Sequence, residues 1–199
     1  MRRILTSLSW AVLVPALASC SLRQPAVQTA DYAFDLPAPD RGPGGEVSVA
    51  VLPFSADPRA SGQMLLYRAD DLRYEHDFYN RFLAPPPRLL TGALRRYLSL
   101  ARAGQVREPG APLGADLLVQ PRLTELYADY RDPAKPRATV AMVMVLIRRG
   151  DGGNKELFER TYRRSLPMRA VSPAAAVEGW SGGVGQIFAE FTGDLRRAR

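Results

Sequence analysis

The single cysteine constrains the fold of this chain more than any other residue. Cys20 is the only cysteine among 199 residues, so the chain cannot form an internal disulfide. Any folded domain must therefore be stable through its own apolar core. Removing the 19 residues before Cys20 leaves 180, which is the size of one ordinary domain. We expect that domain to occupy residues 31–199.

The first 19 residues have the layout of an export signal. Arg2 and Arg3 form a basic start, and the run 4–19 contains no charged side chain. Pro15 interrupts this run, which is shorter than the roughly 20 apolar residues that a helix needs to cross a bilayer core. The sequence therefore predicts a removable signal peptide over residues 1–19.

The end of this segment resembles the bacterial lipobox. Leu17, Ala18 and Ser19 precede Cys20, and small residues before a cysteine fit the peptidase that cleaves there, while the thiol forms a thioether to lipid. We expect a mature chain that begins at Cys20 with acyl chains such as palmitate and continues through a polar tether, residues 20–30. The alternative is an ordinary signal peptide followed by a free cysteine.

The charge of the chain is mildly basic. Lys and Arg number 27 against 20 Asp and Glu, and they are dispersed along the sequence. A basic surface attracts anionic lipid headgroups, although dispersed charge is equally typical of an ordinary solvated surface. No nucleic-acid-binding motif is recognisable, so we expect a membrane contact through the N-terminal lipid and no nucleic acid partner.

The apolar patterns predict an α/β domain. Residues 31–36 alternate as a half-buried edge strand does, and the apolar run 47–54 is typical of a strand buried on both faces. Segment 117–127 has its apolar residues on one side, 139–147 is apolar on both faces, and 157–164 alternates after the glycine-rich turn at 150–154. They predict an antiparallel meander.

Two helices complete the prediction. The prolines at 85–87 suit the approach and first turn of a helix, and apolar residues then recur at helical spacing to about Arg102. Ser172-Pro173 predicts the start of a C-terminal helix that runs to about residue 195. Four glycines within 179–185 weaken that helix by roughly 1 kcal/mol each relative to alanine, so we expect a bend there.

The residues that usually carry catalysis are missing or isolated. His76 is the only histidine and stands between Glu75 and Asp77, where a surface residue is more common than a metal ligand or a base. No nucleophile elbow, P-loop or dinucleotide-binding glycine motif follows a predicted strand. We expect no catalytic residue, no metal, no cofactor and no enzyme activity. A hydrolase on a lipid tether is the alternative.

Several consecutive segments resemble the ABC-type transport auxiliary lipoproteins, the group that includes paraquat-inducible protein C. The resemblance is carried by Tyr67-Arg68, Leu72-Arg73-Tyr74, Tyr79-Asn80-Arg81-Phe82-Leu83-Ala84-Pro85-Pro86 and the helix that starts at Leu89-Leu90. The strands at 32–36 and 49–53 and the closing helix fall in the matching order. The family usually has tryptophan at the position of Phe82 and often an acidic residue at that of Ala84.

The resemblance implies a fold and a role. The implied fold is a single three-layer α/β/α domain with a mixed sheet, similar to the anticodon-binding-domain fold. The implied role is that of an outer-membrane lipoprotein that faces the periplasm, binds the MCE-domain protein of an ABC-type lipid transporter and can form a homo-oligomer. Ser21 agrees with the outer membrane, because an aspartate at this position commonly retains lipoproteins in the inner membrane of enteric bacteria. An envelope assembly or structural lipoprotein with another partner is the alternative.

An aromatic stripe before the first helix is the candidate partner surface. Exposed aromatic side chains anchor many protein interfaces. The candidate surface consists of Tyr79, Arg81, Phe82, Pro85 and Pro86. The alternative is that the stripe, which also includes Tyr74 and Phe78, packs into the core beneath the helix.

We predict that the mature protein begins at an acylated Cys20. Because several acyl chains anchor a protein much more stably than one, the protein should stay with membranes after a high-salt wash. Mass spectrometry of the mature N-terminus checks the prediction. An unmodified Cys20, or cleavage at another position, contradicts it.

Overall fold

The structure is a computed structural model that describes residues 29–108, 110, 114–150 and 152–198. The predicted signal peptide, the lipobox and nearly all of the tether lie outside the described residues. No helix among the described residues is long and apolar enough to cross a membrane.

The described residues form nine strands, one 3-10 turn and two α-helices. In order, the elements are β1 (Ala30–Tyr32), β2 (Ser48–Val51), β3 (Ser55–Ala56), a 3-10 turn (Pro58–Ala60), β4 (Met64–Arg68), β5 (Tyr74–Phe82), α1 (Pro86–Leu100), β6 (Gln105–Arg107), β7 (Leu117–Asp129), β8 (Arg137–Arg148), β9 (Lys155–Pro167) and α2 (Pro173–Arg197).

All nine strands belong to one mixed sheet built around β7. On one side, β7 pairs antiparallel with β8, which pairs antiparallel with β9. On the other side, β7 pairs parallel with β2, β3 and β4 in succession. Beyond these lie β6 next to β2, and β5 followed by β1 next to β4. The predicted single α/β domain, with a mixed sheet, an antiparallel meander and a C-terminal helix, is confirmed.

Both helices lie on the same face of the sheet. Tyr97 of α1 and Phe188 of α2 are in edge contact, with ring centroids 5.6 Å apart. Their apolar faces share one core with the inward side chains of β2, β7 and β8. The described residues thus form two layers, whereas the resemblance implied a helix layer on each side of the sheet.

The opposite face is covered by its own side chains instead of a helix. Ala141 in β8 is buried and lies between Glu125 of β7 and Arg163 of β9 in the strand register. Arg163 donates to Glu125 across this position at 2.7 Å. Long charged side chains can bury small apolar ones along their stems, which is the physical reason that this face needs no third layer.

The glycines of α2 allow close packing. An added Cβ on Gly179 would lie 2.5 Å from the Cβ of Ala138, and one on Gly183 would lie 2.7 Å from a methyl group of Val140. The helix is unbroken from Pro173 to Arg197, and the Ser172 hydroxyl accepts a hydrogen bond from the Ala175 N–H at its start. Contact with β8 therefore offsets the weak helix propensity of these glycines.

Asp194 connects the end of α2 to β9. Its side chain is only 4% exposed, and it accepts hydrogen bonds from the Tyr162 hydroxyl at 2.5 Å and from Arg160 at 2.6 Å. Arg197 also donates to it. Burial raises the pKa of Asp194, but the hydrogen bonds from Tyr162, Arg160 and Arg197 outweigh burial, so the pKa is lowered.

We predict that Asp194→Asn lowers the free energy of unfolding by about 1 to 3 kcal/mol at pH 7, because hydrogen bonds to a charged group are lost. A carboxyl whose pKa is lowered in the folded state stabilises the fold at pH values above its unfolded-state pKa, about 3.9. That contribution is lost as the pH falls through the folded-state pKa. The difference between wild type and variant should therefore shrink below about pH 4.

Urea unfolding at several pH values measures this difference. The matched control is Glu156→Gln, because the Glu156 side chain is exposed on β9. This substitution should leave the stability and its pH profile unchanged. A difference between wild type and Asp194→Asn that stays constant from pH 7 to pH 3 contradicts the assignment.

Candidate partner surface

Most of the exposed large apolar side chains lie on one hairpin. Seven such side chains occur among the described residues, and two of them, Leu100 and Val171, lie elsewhere. The other five lie on or directly after the β4–β5 hairpin: Met64, Leu72, Phe78, Tyr79 and Leu83. A concentration of exposed apolar groups on one element is typical of an interaction site.

A bulge in β5 turns two aromatic side chains outward. Leu65 pairs with Asp77 while the preceding Met64 pairs with Arg81, so residues 78–80 have no counterpart in β4. Extra residues on one strand bend it and redirect its side chains. Phe78 is 77% exposed and Tyr79 is 52% exposed. We call Met64, Phe78, Tyr79 and Leu83 the bulge surface.

Asp77 holds the bulge in shape. Its Oδ1 accepts hydrogen bonds from the backbone N–H groups of Tyr79 at 2.9 Å and Asn80 at 3.0 Å. Its Oδ2 accepts from the Tyr67 hydroxyl at 2.7 Å and from Asn80 Nδ2 at 2.9 Å. Both carboxylate oxygens are thus used to fix residues 78–80.

The hydrogen bonds keep Asp77 charged. Partial burial raises the pKa of the carboxyl, but the bonds from Tyr67, Tyr79 and Asn80 outweigh burial and lower it. Burial and the Asp77 contact raise the pKa of Tyr67, and burial with the nearby Asp77 charge raises that of Tyr130 to about 12. The bulge therefore rests on an ionised carboxylate and neutral phenols at physiological pH.

Neighbouring strands support the bulge from two sides. Tyr67 stacks on Tyr130 with ring centroids 5.0 Å apart. On the other side β1 pairs with residues 80–82, and Arg81 forms an ion pair with Asp31 at 2.8 Å. Phe78 and Tyr79 are thus presented from a backbone that is fixed on both sides, which reduces the entropy lost when a partner binds.

The structure divides the predicted partner surface. Tyr79, Arg81 and Pro85 are exposed, but Pro86 is buried in the first turn of α1. Phe82 is 1% exposed and stacks on Phe34 at 4.9 Å between ring centroids. Its assignment to an exposed surface is therefore corrected: Phe82 belongs to the core.

Tyr74 also turns away from the bulge surface. Its ring meets Tyr127 edge-on at 5.7 Å on the helix-free face of the sheet. Arg59 and Arg68 lie over the same ring, at 5.1 and 5.8 Å from its centroid. The aromatic residues of the stripe therefore lie in three environments: Phe78 and Tyr79 are exposed, Phe82 is in the core, and Tyr74 is on the helix-free face.

Sequence reasoning missed the exposed Met64, which pairs with Arg81 at the bulge, the exposed Leu83 directly after β5, and the role of Asp77. Nothing in the local pattern distinguishes Asp77 from the acidic residues around it. The sequence does place Leu83 directly after the aromatic stripe, which is a usable signal for an exposed apolar residue.

His76 is exposed on β5 and lies opposite Leu66 in the hairpin register. No group of three or more His, Cys, Asp or Glu side chains among the described residues is placed to hold a metal ion.

Comparisons with known proteins show the fold. No family model and no curated protein matches the sequence. Protein XCC0632 from Xanthomonas campestris, of the family DUF330, has a TM-score of 0.76 at 16% identity, and the match covers 85% of this chain and 96% of that one. An uncharacterised protein matches with a TM-score of 0.62 at 18% identity over 85% of this chain and 97% of its own.

A third solved structure has the same fold. The hypothetical protein CT253 from Chlamydia trachomatis has a TM-score of 0.53 at 11% identity, over 76% of this chain and 94% of that one. At these identities the likeness shows a fold shared with a DUF330 protein and does not show a shared function.

We predict that substitutions within the aromatic stripe separate into two classes. Phe82→Ala should lower the free energy of unfolding by about 3 to 5 kcal/mol, because it leaves a cavity in the core. Phe78→Ser and Tyr79→Ser should change it by less than about 0.5 kcal/mol, since both side chains are exposed. Chemical denaturation measures all three, and a Phe82→Ala protein as stable as wild type contradicts the core assignment.

Proposed function

We propose that this chain is an outer-membrane-anchored periplasmic accessory lipoprotein of an MCE/ABC-type intermembrane lipid transport system, and that it acts by binding its MCE-domain partner. The observation that carries the proposal is the bulge surface. It combines exposed apolar side chains with a backbone that Asp77 fixes in place.

The bulge surface has the composition of an interface anchor. Phe78 offers a large apolar ring, and Tyr79 adds a hydroxyl that can hydrogen-bond at the edge of a contact. Arg81 and Asp31 form a charged pair beside them, as expected of the polar rim around such an anchor. A protein partner is thus the occupant whose chemistry fits this surface best.

The resemblance and the fold support the same role. The segments that carry the resemblance, between Tyr67 and Leu90, form the end of β4, β5 with its bulge and the start of α1. The part of the chain that is most similar to the auxiliary lipoproteins is therefore the part that presents the bulge surface. The fold shared with a DUF330 protein agrees with this family placement without deciding it.

In this proposal the lipid anchor and the bulge surface have separate roles. Acyl chains on Cys20 would determine where the domain sits, and the bulge surface would determine what it meets. Ser21 after the cysteine supports the outer membrane as the destination. If the native protein is found in the same fraction as inner-membrane markers, the outer-membrane destination is contradicted. The proposal of a lipid anchor is not affected by that result.

We predict that the double variant Phe78→Ser, Tyr79→Ser weakens binding to an MCE-domain protein from the same cell at least tenfold, which corresponds to about 1.4 kcal/mol. Calorimetry with purified proteins measures the affinity. The matched control is Leu72→Ser, because Leu72 is 94% exposed but lies at the turn, at the opposite end of the hairpin. The control should bind as wild type does.

The same system tests the role of the lipid. Cys20→Ser should abolish function in cells while the protein, once purified, still binds the MCE protein. If well-folded wild-type protein has no affinity for that MCE protein in any assembly state, the transport role fails. The alternative, an envelope assembly or structural lipoprotein with a different partner, then takes its place.

A further inference from the structure

A groove of about 710 Å³ runs between α1 and the extended segment 34–39. Its helical wall includes Arg88, Leu89, Gly92, Ala93, Arg96, Tyr97 and Leu100. From Arg88 to Leu100 the wall extends for about 18 Å along the helix axis. The volume lies within the range of about 300 to 1,000 Å³ that is typical of small-molecule sites.

The lining of the groove is mainly apolar. Phe34 and Leu36 contribute half-buried side chains from the extended segment, and Leu89 and Ala93 face them from α1. Leu100, at one end, is 43% exposed. A ligand that covers this lining would remove apolar surface from water, which favours binding.

Two arginines provide the positive charge. Arg88 and Arg96 are two helical turns apart on the exposed side of α1, and neither guanidinium group has an ion pair or a hydrogen bond among the described residues. Arg95, by contrast, donates to the Val51 carbonyl and pairs with Glu108. Asp35 is the acidic residue of the lining, so the groove carries more positive than negative charge.

Gly92 keeps the space between these arginines open. It lies one turn from each, and an added Cβ would meet nothing within 4 Å. Glycine is a poor helix former, and packing within the described chain does not require it here, whereas Gly179 and Gly183 of α2 are required by close contacts. Close packing therefore does not account for Gly92, which lies in the lining of the groove between the two arginines.

The walls of the groove offer little to an extended peptide. A peptide that adds to a protein in extended form uses free backbone N–H groups. Pro37 and Pro39 have none, and the Asp35 N–H already donates to the Ser181 hydroxyl at 3.1 Å. The backbone of α1 is bonded within the helix. An acyl chain needs no such bonds.

We propose that this groove binds a lipid with one acyl chain and an anionic headgroup. The chain lies against Phe34, Leu89 and Leu100, and the headgroup pairs with the Arg88 and Arg96 guanidinium groups over Gly92. The site is on α1 and does not depend on the MCE partner.

The test uses the mature chain from residue 20 with Cys20→Ser, so that its own acyl groups cannot compete. The probe is cis-parinaric acid, a fluorescent fatty acid, displaced by oleate or by the uncharged oleyl alcohol. Wild type should bind the probe saturably. Gly92→Leu, which places a side chain in the open space between the two arginines and suits a helix better than glycine does, should weaken binding at least tenfold without lowering the melting temperature.

Matched variants separate the two parts of the proposal. Gly62→Leu is the control for added volume, because Gly62 is exposed, has open space around it and lies outside the groove. Arg88→Gln with Arg96→Gln should remove the preference for oleate over oleyl alcohol, whereas Arg149→Gln, exposed elsewhere, should keep it.

Three results overturn the proposal. They are no saturable binding by the folded wild type, binding that Gly92→Leu leaves unchanged, and equal displacement by oleate and oleyl alcohol in the wild type. No MCE protein is present in this assay, so its outcome is independent of the proposed partner role.

Discussion

The contact among Phe34, Phe82 and Trp180 holds both candidate surfaces in place. Phe82 ends β5 directly after the bulge, Phe34 stacks on it from the groove wall, and Trp180 of α2 lies 5.8 Å from the Phe82 ring. Trp180 is in turn fixed by the hydrogen bond from its Nε1 to the Tyr127 carbonyl at 3.1 Å. One aromatic cluster therefore joins the N-terminal segment, the hairpin and α2.

Close packing takes the place of a disulfide in this fold. An added Cβ on Gly185 would lie 2.6 Å from Pro37, so α2 contacts the groove wall directly, just as Gly179 and Gly183 contact β8. Such contacts gain dispersion energy only when the surfaces match closely. The glycines that weaken α2 as an isolated helix thus let it join the sheet and the N-terminal segment.

The sequence predicts the regular elements well because their periodicity is local. The meander β7–β9 and both helices follow from alternating or helical spacing of apolar residues. The bulge does not, because hydrogen bonds from Tyr67 and Asn80 to Asp77 depend on the fold. Strict alternation would place Phe78 and Phe82 on one face, and the inserted residues 78–80 are the reason that one is exposed and the other buried.

The path of the chain relates the proposed anchor to the proposed partner surface. Ala30 pairs with Asn80 in the bulge, and after β1 the chain continues as the wall of the groove. A tether that ends at residue 30 therefore enters the domain beside the bulge surface. In the proposed function, a partner that reaches Phe78 and Tyr79 would then approach the end of the domain at which the acylated tether enters. In the proposed function the anchor thus also limits how far from the outer membrane the partner is met.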